Sequence, residues 1–454
     1  MSPIRRVTRV AKIILVQTVI VLIVLGLIEG AARYWEPSFK KPRVDIQLNL
    51  QPYIMFAFSK GGGYVWQDIL EKKSVPSTIE FNNYGFAELF DYTTIPDGPY
   101  LQAHGKKPGE RIVLLTGGST VHGVGATSND KTIAAQMMHH LNRRSEGTHY
   151  RVINMGMGSW IAYQQFIGLS LFGLPFDPDW IVVMDGHNDG AVPCVHGSGV
   201  GNPLGWPKML YLTHGGTGDR KGSPLLESFA RHSALVRIIT ETDPEDAKRG
   251  MPTGLVIDKE EADPRFLIKM ENLRVSDQDR QLDFYLQAQR NVLGLFHRAN
   301  VILSTQPLMY DNAISPAYRT TFDPRGNGEK RTTLKEHLDR FMAENVEQVC
   351  RSQQAAQLLG YFIGRSALSL VDFAAAAQKS DRSRKIMYLN TEAVFPMLPE
   401  QRHLYFVDNA HLSDLGQERV GEFFADAILS AERGKSFDYA AFVEKRQPVA
   451  GSRN

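Results

Sequence analysis

The sequence predicts an α/β protein: a three-layer αβα sandwich around a parallel sheet of about five strands, interrupted by an insertion or cap. Short apolar runs bounded by glycine or polar residues are typical of strands that are covered on both faces. Segments with helical spacing alternate with these runs, as they do in consecutive βα units. The predicted strands are residues 112–115, 151–154, 180–184, 301–304 and 368–371.

The predicted helices complete the alternation. They are residues 131–144, 160–172, 281–297, 334–359 and 414–432. From about 190 to 277 the alternation breaks, because glycine, proline and charged residues leave only short apolar runs, and this segment is interpreted as the insertion or cap. The predicted regions are an apolar segment at 1–35, a lead-in of strands and loops at 36–107, the main domain at 108–433 and a loose polar tail at 434–454.

The charge balance argues against a polyanionic partner. The 454 residues include 51 basic and 49 acidic side chains, which gives a net charge of +2. Setting aside Arg5, Arg6, Arg9 and Lys12 of the amino-terminal tail takes the remainder from +2 to about −2. Nucleic acid is therefore not expected as a partner.

The amino-terminal segment indicates a membrane anchor or an export signal, because residues 13–28 carry no charge and follow a short basic tail. As a helix this run covers roughly 24 Å, and Gly30 to Ala32 can extend it. Tyr34 and Trp35 would then lie at the membrane interface. A cleaved signal needs a small-residue cleavage site, and no convincing A-x-A motif follows, so an uncleaved anchor is favoured. The very short tail favours an amino terminus that stays inside and a chain that is exported.

Ser119 is the centre of the site that the sequence predicts. The strand at 112–115 stops at Gly117 and Gly118, which permit a tight turn that presents the serine. In open α/β sheets, ligands bind in the crevice at the carboxyl ends of the strands, where this serine falls. The alternative is an ordinary strand-to-helix turn in which Ser119 or Thr120 caps the next helix.

Three further segments supply what serine chemistry requires: a base, a carboxylate that orients the base, and hydrogen-bond donors for an oxyanion. Asp408 and His411 stand three residues apart in one short turn. Asn188 follows the strand at 180–184 with a side-chain amide, and the glycines of 155–160 can turn backbone N–H groups towards a ligand. Singly, each has a simpler interpretation: Asp408 as a helix cap, His411 as an exposed loop residue and Asn188 as a turn residue.

Together the four segments form a specific pattern. They read GGST at 117–120, NMGMGSW at 154–160, GHND at 186–189 and DNAH at 408–411. On these blocks the chain resembles the SGNH/GDSL hydrolase superfamily over roughly 110–432, and NYGF at 83–86 is similar to the lead-in of its membrane-anchored bacterial members. The resemblance implies an SGNH, flavodoxin-like fold. Val121 occupies the last position of a G-x-S-x-G elbow, which argues against an ordinary α/β-hydrolase.

The resemblance also implies a role for each matching residue. Ser119 would be the nucleophile, His411 the general base and acid, and Asp408 the partner that orients the histidine. The implied oxyanion donors are the Ser119 N–H, the Asn188 amide and a block-two N–H at Gly158 or Ser159.

The sequence departs from the family pattern at two positions. Gly118 stands where aspartate is usual before the serine, which removes no member of the proposed triad. Ser159 stands where a glycine is expected to supply an oxyanion N–H, so a backbone donor is kept but its geometry becomes a question.

No metal site is expected. Cys194 and Cys350 form neither a disulfide framework nor a zinc site, and whether they pair stays open. His139 and His140 face different ways on a predicted helix, where a surface role is expected.

The expected function is that of a serine esterase that hydrolyses or transfers O-acyl groups, acetyl above all, on an extracytoplasmic carbohydrate. One alternative is a lipase or thioesterase on a small acyl ester, although the mixed, polar segment at 190–277 is unlike an apolar cap. The other is a non-catalytic scaffold subunit of an envelope polysaccharide assembly complex, which the complete set of blocks argues against. The chemistry requires no cofactor, and the expected partners are the acyl-ester substrate and the membrane.

Overall fold

The computed structural model describes residues 3–39, 48–51, 53–58, 65–67, 74–88, 106–193, 200–202, 229, 232–239, 274–309, 328–348, 355–396 and 399–444. The chain divides into two compact units. The smaller unit combines Met1–Arg43 with Leu210–Pro264, and the larger combines Val44–Met209 with Arg265–Asn454.

The strands and helices have the following bounds. The strands are β1 Leu48–Gln51, β2 Met55–Phe58, β3 Val65–Gln67, β4 Ser74–Pro76, β5 Glu110–Gly117, β6 His149–Asn154, β7 Trp180–Asp185, β8 Asn300–Thr305 and β9 Ile386–Asn390. The helices are α1 Pro3–Phe39, α2 Ser119–His122, α3 Ile133–Arg144, α4 Ala162–Gly168, α5 His187–Ala191, α6 Ala234–Ile239, α7 Asp277–Leu295, α8 Gly328–Asn345, α9 Ala355–Ser380, α10 Pro399–Arg402, α11 Asp414–Glu432 and α12 Tyr439–Glu444.

The larger unit contains a five-stranded sheet in the order β6-β5-β7-β8-β9, and every pair in it is parallel. Counted along the chain, this is the doubly wound order 2-1-3-4-5, whose switch point lies between the first and third strands. Here those strands are β5 and β7. Their carboxyl ends therefore flank the crevice in which this class of fold binds ligands.

Helices cover both faces of this sheet. On one face, Trp160, Tyr285 and Phe362 belong to a buried cluster to which α7 and α9 contribute. On the other face, Met137 and Phe423 belong to a second cluster, built largely from α3 and α11. The predicted three-layer α/β architecture is confirmed.

One predicted strand is wrong. Residues 368–371 lie inside α9, and the fifth strand is β9, which begins at Ile386. Leu370 and Ala374 are fully or almost fully buried, as are Ala367, about one turn before Leu370, and Phe362, about two turns before it, which is a helical spacing. A short apolar run is compatible with either element, and the length of the surrounding helix decides.

Helix bounds differ from the prediction in two more places. The single helix expected at 334–359 is two helices, α8 and α9. The tail expected to be loose from 434 contains α12, whose Tyr439 and Phe442 are buried against the second cluster. Packing of these two aromatic side chains accounts for the ordered helix.

Two helices in the described part of the chain are long and apolar enough to cross a membrane. The first is Lys12–Trp35 within α1, whose most apolar 18-residue stretch has no buried residue. The second is Gln357–Ser380 within α9, which is mostly buried as a core helix of the sheet. Most of the predicted insertion, and both Cys194 and Cys350, lie outside the described residues.

Candidate active site

The turn that carries Ser119 needs both of its glycines. A side-chain Cβ at Gly117 would stand 2.2 Å from the carbonyl oxygen of Met184 on the neighbouring strand. A Cβ at Gly118 would stand 2.8 Å from Nδ2 of Asn188. Since these contacts are shorter than van der Waals distances, a larger residue at 118, aspartate included, would displace the Asn188 amide. Glycine at 118, where the family pattern usually has aspartate, therefore fits the close approach of the Asn188 amide in this protein.

A hydrogen-bonded chain joins Ser119, His411 and Asp408. The Ser119 Oγ lies 2.7 Å from His411 Nε2, and His411 Nδ1 lies 2.5 Å from Asp408 Oδ2. The other carboxylate oxygen, Oδ1, accepts from the N–H groups of Ala410, at 2.8 Å, and His411, at 2.7 Å. A carboxylate that accepts from Nδ1–H leaves Nε2 free to accept the serine proton.

Asp408 is held in its ionised form. Burial alone would raise its pKa, but the hydrogen bond and charge of His411, with the N–H groups of Ala410 and His411, outweigh burial and lower the pKa to about 2. The carboxylate is therefore available to orient the imidazole throughout the neutral pH range.

The Ala410 carbonyl fixes this turn to two other elements. It accepts a hydrogen bond from Thr120 Oγ1 at 2.8 Å and another from Gln306 Nε2 at 2.9 Å. Thr120 lies next to Ser119 in α2, and Gln306 follows β8, where its own N–H donates to the Asp185 carbonyl at 2.8 Å. The turn that carries the histidine is thus held directly against the helix that carries the serine.

Asn188 lies in α5, just after β7 and beside Gly118, with 9% of its surface exposed. Its Nδ2 donates to the Trp160 carbonyl at 2.8 Å, which leaves one amide hydrogen for another acceptor. The adjacent Asp189, for which sequence reasoning assigned no role, accepts from the Ala162 N–H at 3.0 Å. The side chains of Asn188 and Asp189 thus hold the segment 160–162 in place by a hydrogen bond at each end.

The predicted block-two donors, Gly158 and Ser159, lie between two anchored residues. Met157 N–H donates to the Gly117 carbonyl at 3.0 Å, and the Trp160 carbonyl accepts from Asn188. Ser159 has φ +64, the left-handed backbone region in which glycine is most easily accommodated. Among the residues described, no hydrogen-bond acceptor faces the Ser159 N–H. Ser159 thus replaces the glycine of the family pattern, while the backbone at this position keeps a conformation that favours glycine.

The simpler interpretations of these residues do not fit their contacts. Gly118, not Ser119 or Thr120, is the N-cap of α2. The cap of α11 is Ser413, whose Oγ accepts from the Gly416 N–H at 3.3 Å, so Asp408 does not serve that purpose. The His411 side chain is 21% exposed, which is too little for a free loop residue.

The lead-in region packs behind the serine helix through His122. This side chain is fully buried, and its ring centroid lies 5.0 Å from that of Phe58 and 4.7 Å from that of Phe81. Burial lowers the pKa of His122 to about 3, so the imidazole is neutral and its Nε2–H donates to the Gly85 carbonyl at 2.8 Å. Sequence reasoning missed this residue, because nothing in its local pattern sets it apart.

Two buried carboxylates stand behind Asn188. Asp185 accepts from the Tyr285 hydroxyl at 2.6 Å and from Gln289 Nε2 at 3.1 Å, and Asp189 accepts from Gln281 Nε2 at 3.4 Å. Burial raises the pKa of Asp185 to about 7. Burial, and then the charge of Asp185, raises the pKa of Asp189 well above its usual value.

The predicted surface histidines differ from one another. His139 is exposed, as expected. His140 is only 4% exposed, so the predicted surface role is wrong for His140. Within the described ranges, no group of three His, Cys, Asp or Glu side chains is placed to hold a metal ion.

Comparison with family models and with curated protein sequences found no match. Solved structures similar to the chain include a two-domain esterase active on acetylated mannans, at 12% identity and a TM-score of 0.32, covering 73% of this chain and 52% of that one. A protein from Desulfitobacterium hafniense DCB-2 described as lipolytic and of the G-D-S-L family shares 11% identity, with a TM-score of 0.30, over 69% of this chain and 97% of its own. A catalytic mutant of an acetylxylan esterase from Geobacillus stearothermophilus also shares 11% identity, with a TM-score of 0.30, over 72% of this chain and 95% of its own.

The chain spans about half the length of the mannan esterase. At these identities and TM-scores, the similarities carry no argument about activity. The larger unit has a parallel sheet in the order β6-β5-β7-β8-β9, and residues of the four sequence blocks lie together at one edge of that sheet. What the site does is argued from its own geometry.

Proposed function

We propose that this protein is a serine esterase of the SGNH/GDSL type that hydrolyses or transfers O-acyl groups. The observation that carries the proposal is the continuous hydrogen-bonded chain from Ser119 through His411 to Asp408. A serine hydroxyl is a weak nucleophile unless a base within hydrogen-bond reach removes its proton. The 2.7 Å separation of Oγ and Nε2 meets that requirement.

In the proposed reaction, Ser119 Oγ attacks the acyl carbonyl while His411 Nε2 takes the hydroxyl proton. The tetrahedral intermediate collapses, the bond to the alcohol breaks, and His411 returns the proton to the leaving alcohol oxygen. Water, deprotonated by the same nitrogen, then attacks the acyl-serine carbonyl. The bond to Ser119 Oγ breaks, His411 returns the proton to Oγ, and the acid leaves. A sugar hydroxyl in place of water would give acyl transfer with the same proton movements.

The oxyanion would be stabilised by three donors: the Ser119 N–H, the remaining amide hydrogen of Asn188 and the N–H of Gly158 or Ser159. The Ser119 N–H begins a helix and so has no acceptor within it. Asn188 is held against the serine turn, as the 2.8 Å approach to a Cβ at Gly118 indicates. Fixed donors of this kind need no reorganisation when charge develops on the carbonyl oxygen.

The proposed substrate is an acylated, in particular acetylated, carbohydrate outside the cytoplasm. This part of the proposal rests on the resemblance to membrane-anchored members of the superfamily and on α1. The apolar segment Lys12–Trp35 of α1 is long enough to hold the chain at a membrane, and its most apolar 18-residue stretch has no residue buried inside the protein. The proposed orientation, with the amino terminus inside, would place the larger unit outside the cytoplasm.

The test uses the full-length protein in detergent, with p-nitrophenyl acetate and acetylated xylan as substrates. We expect acetate release from wild-type protein and none above background from Ser119→Ala. Ser380→Ala removes a hydroxyl at the exposed end of α9 and should retain full activity. A fluorophosphonate probe should add its mass to the peptide that contains Ser119. Folded wild-type protein that neither reacts with the probe nor releases acetate would overturn the proposal in favour of a scaffold.

The same assay separates hydrolysis from transfer. With unacetylated oligosaccharide present, an esterase releases acetate only, whereas a transferase produces acetylated oligosaccharide that mass spectrometry detects. Activity that rises with acyl chain length, and is absent on acetylated xylan, would instead indicate a lipase or thioesterase.

A further inference from the structure

The smaller unit joins the amino-terminal helix to part of the insertion through one carboxylate. Glu29 of α1 accepts hydrogen bonds from Ser233 Oγ at 2.7 Å and from the N–H groups of Ala234, at 2.8 Å, and Leu235, at 3.2 Å. These donors stand at the start of α6, more than 200 positions along the chain. A carboxylate at this end of a helix satisfies N–H groups that have no acceptor within it.

A second side chain of α1 strengthens the contact. Arg33 pairs with Glu29, with 2.8 Å between Nε and Oε1, and its second guanidinium nitrogen donates to the His232 carbonyl at 2.7 Å. Between these two residues, Ala32 is 6% exposed, and Ala234 on the facing segment is completely buried. The contact thus combines an ion pair, hydrogen bonds to backbone groups and two buried alanine side chains.

The position of Glu29 on α1 places this contact at the edge of a bilayer. Glu29 is the first charged residue after the uncharged run 13–28, whose roughly 24 Å is slightly less than a bilayer core. The large apolar side chains of that run are 42% to 69% exposed within the protein, which leaves lipid as the occupant of this surface. Tyr34 and Trp35, 80% and 56% exposed, follow where aromatic side chains favour the interface.

We infer that α1 is retained in the mature protein as the framework on which residues 232–239 of the insertion fold, and that this unit is seated at the surface of a lipid bilayer. Cleavage as a signal peptide would remove Glu29, Ala32 and Arg33 together. The N–H groups of Ala234 and Leu235 would then lose their acceptor, and Ala234 would lose the surface that buries it. The inference rests on the membrane anchorage proposed above and is independent of the proposed catalysis.

Retention is tested on full-length protein isolated from membranes. We expect the intact mass to include α1 and the protein to stay in the membrane pellet after alkaline carbonate extraction. A mature chain that begins beyond Arg33 would overturn the inference, whatever the result of the esterase assay.

Docking is tested by hydrogen exchange in the same full-length protein in detergent. We expect the amides of Ala234 and Leu235 to exchange about tenfold faster in Glu29→Ala than in wild type, because their acceptor is lost. Glu336→Ala makes the same chemical change at an exposed position of α8 and should leave these amides unchanged. Unchanged exchange of the β7 amides in Glu29→Ala would show that the loss is local.

Ser233→Ala provides a second variant if Glu29→Ala fails to accumulate. It removes one donor to Glu29 and also the acceptor of the Val236 N–H, which lies 3.2 Å from Ser233 Oγ. Amides at 234–236 that exchange at the wild-type rate in both variants would overturn the docking, even if the protein remains in the membrane.

Discussion

The Oγ atom of Ser119 lies 2.7 Å from Nε2 of His411, although 292 positions separate the two residues in the sequence. The Ala410 carbonyl brings their segments together, since it accepts from Thr120 on one side and from Gln306 on the other. Each donor is fixed by its own element: Thr120 by the serine helix α2, and Gln306 by the end of β8. The serine-to-histidine distance therefore depends on residues that take no part in the chemistry.

Thr120→Val should lower the turnover number about tenfold and leave KM nearly unchanged. Valine has the shape of threonine but removes the hydroxyl that holds Ala410, so His411 would be less well placed for the Ser119 proton. Thr120→Ser keeps the hydroxyl and should restore most of the turnover. Steady-state kinetics on p-nitrophenyl acetate measure both variants. Equal turnover in Thr120→Val and wild type would show that Gln306 alone positions the turn.

Asn188→Ala should reduce turnover by about two to three orders of magnitude, the usual effect of removing one oxyanion donor. The variant also removes the hydrogen bond to the Trp160 carbonyl, so the melting temperature is measured alongside the kinetics. Gln164→Ala is a suitable control, because it breaks a buried amide-to-carbonyl hydrogen bond, to Ile54, in the same α4 region. Loss of stability in both variants, with loss of turnover in Asn188→Ala alone, would assign Asn188 to the site. Unchanged turnover in Asn188→Ala would show that Asn188 is not part of the active site.

The sequence predicts the gathering of Ser119, Asn188 and His411 because parallel strands end at one edge of a sheet. Two of these residues follow strands whose apolar runs are readily recognised, β5 and β7. The prediction is wrong for residues 368–371, where a segment with three apolar residues among four belongs to a 26-residue helix. Burial on both faces gives such runs in either element, so local pattern cannot distinguish them.

Residues that position the site were not predicted for a different reason. Gln306, Asp189 and His122 act through hydrogen bonds to backbone groups that are distant in sequence, at Ala410, Ala162 and Gly85. No local pattern shows which carbonyl or N–H group a side chain will meet. These pairs of side chains and backbone groups are recognised only once the fold is known.

Ser159→Gly should retain activity and raise the stability of the larger unit slightly, whereas Ser159→Val should lower both. Ser159 has φ +64, where a Cβ is unfavourable by about 1 kcal/mol and a β-branched side chain by more. Glycine removes that strain, although its greater freedom in the unfolded chain offsets part of the gain. Thermal unfolding and turnover are measured on the three proteins. A less active glycine variant would mean that the serine side chain itself contributes to the site.

Asp185→Asn should make stability less dependent on pH between about 4 and 7. Burial raises the pKa of Asp185 to about 7, so the folded protein holds a proton that the unfolded chain releases near pH 4. Stability from this group is therefore complete below about pH 4 and is lost as pH rises towards 7. Asparagine stays neutral and its oxygen can accept from Tyr285. With the Gln289 amide turned over, the asparagine amide can donate to Gln289 Oε1, which has no partner among the described residues.

The measurement is the melting temperature of the full-length protein at several pH values from 4 to 8. Wild type should lose stability across this range relative to Asp185→Asn, with the two curves converging at low pH, where Asp185 is protonated in both states. Asp283→Asn, an exposed position on α7, should follow the wild-type curve. Asp189→Asn should act in the same direction as Asp185→Asn, because burial, and then the charge of Asp185, raises the pKa of Asp189. Parallel curves for Asp185→Asn and wild type would show that Asp185 is ionised in the folded protein at neutral pH. The hydrogen bonds from Tyr285 and Gln289 would then compensate for the burial of the carboxylate.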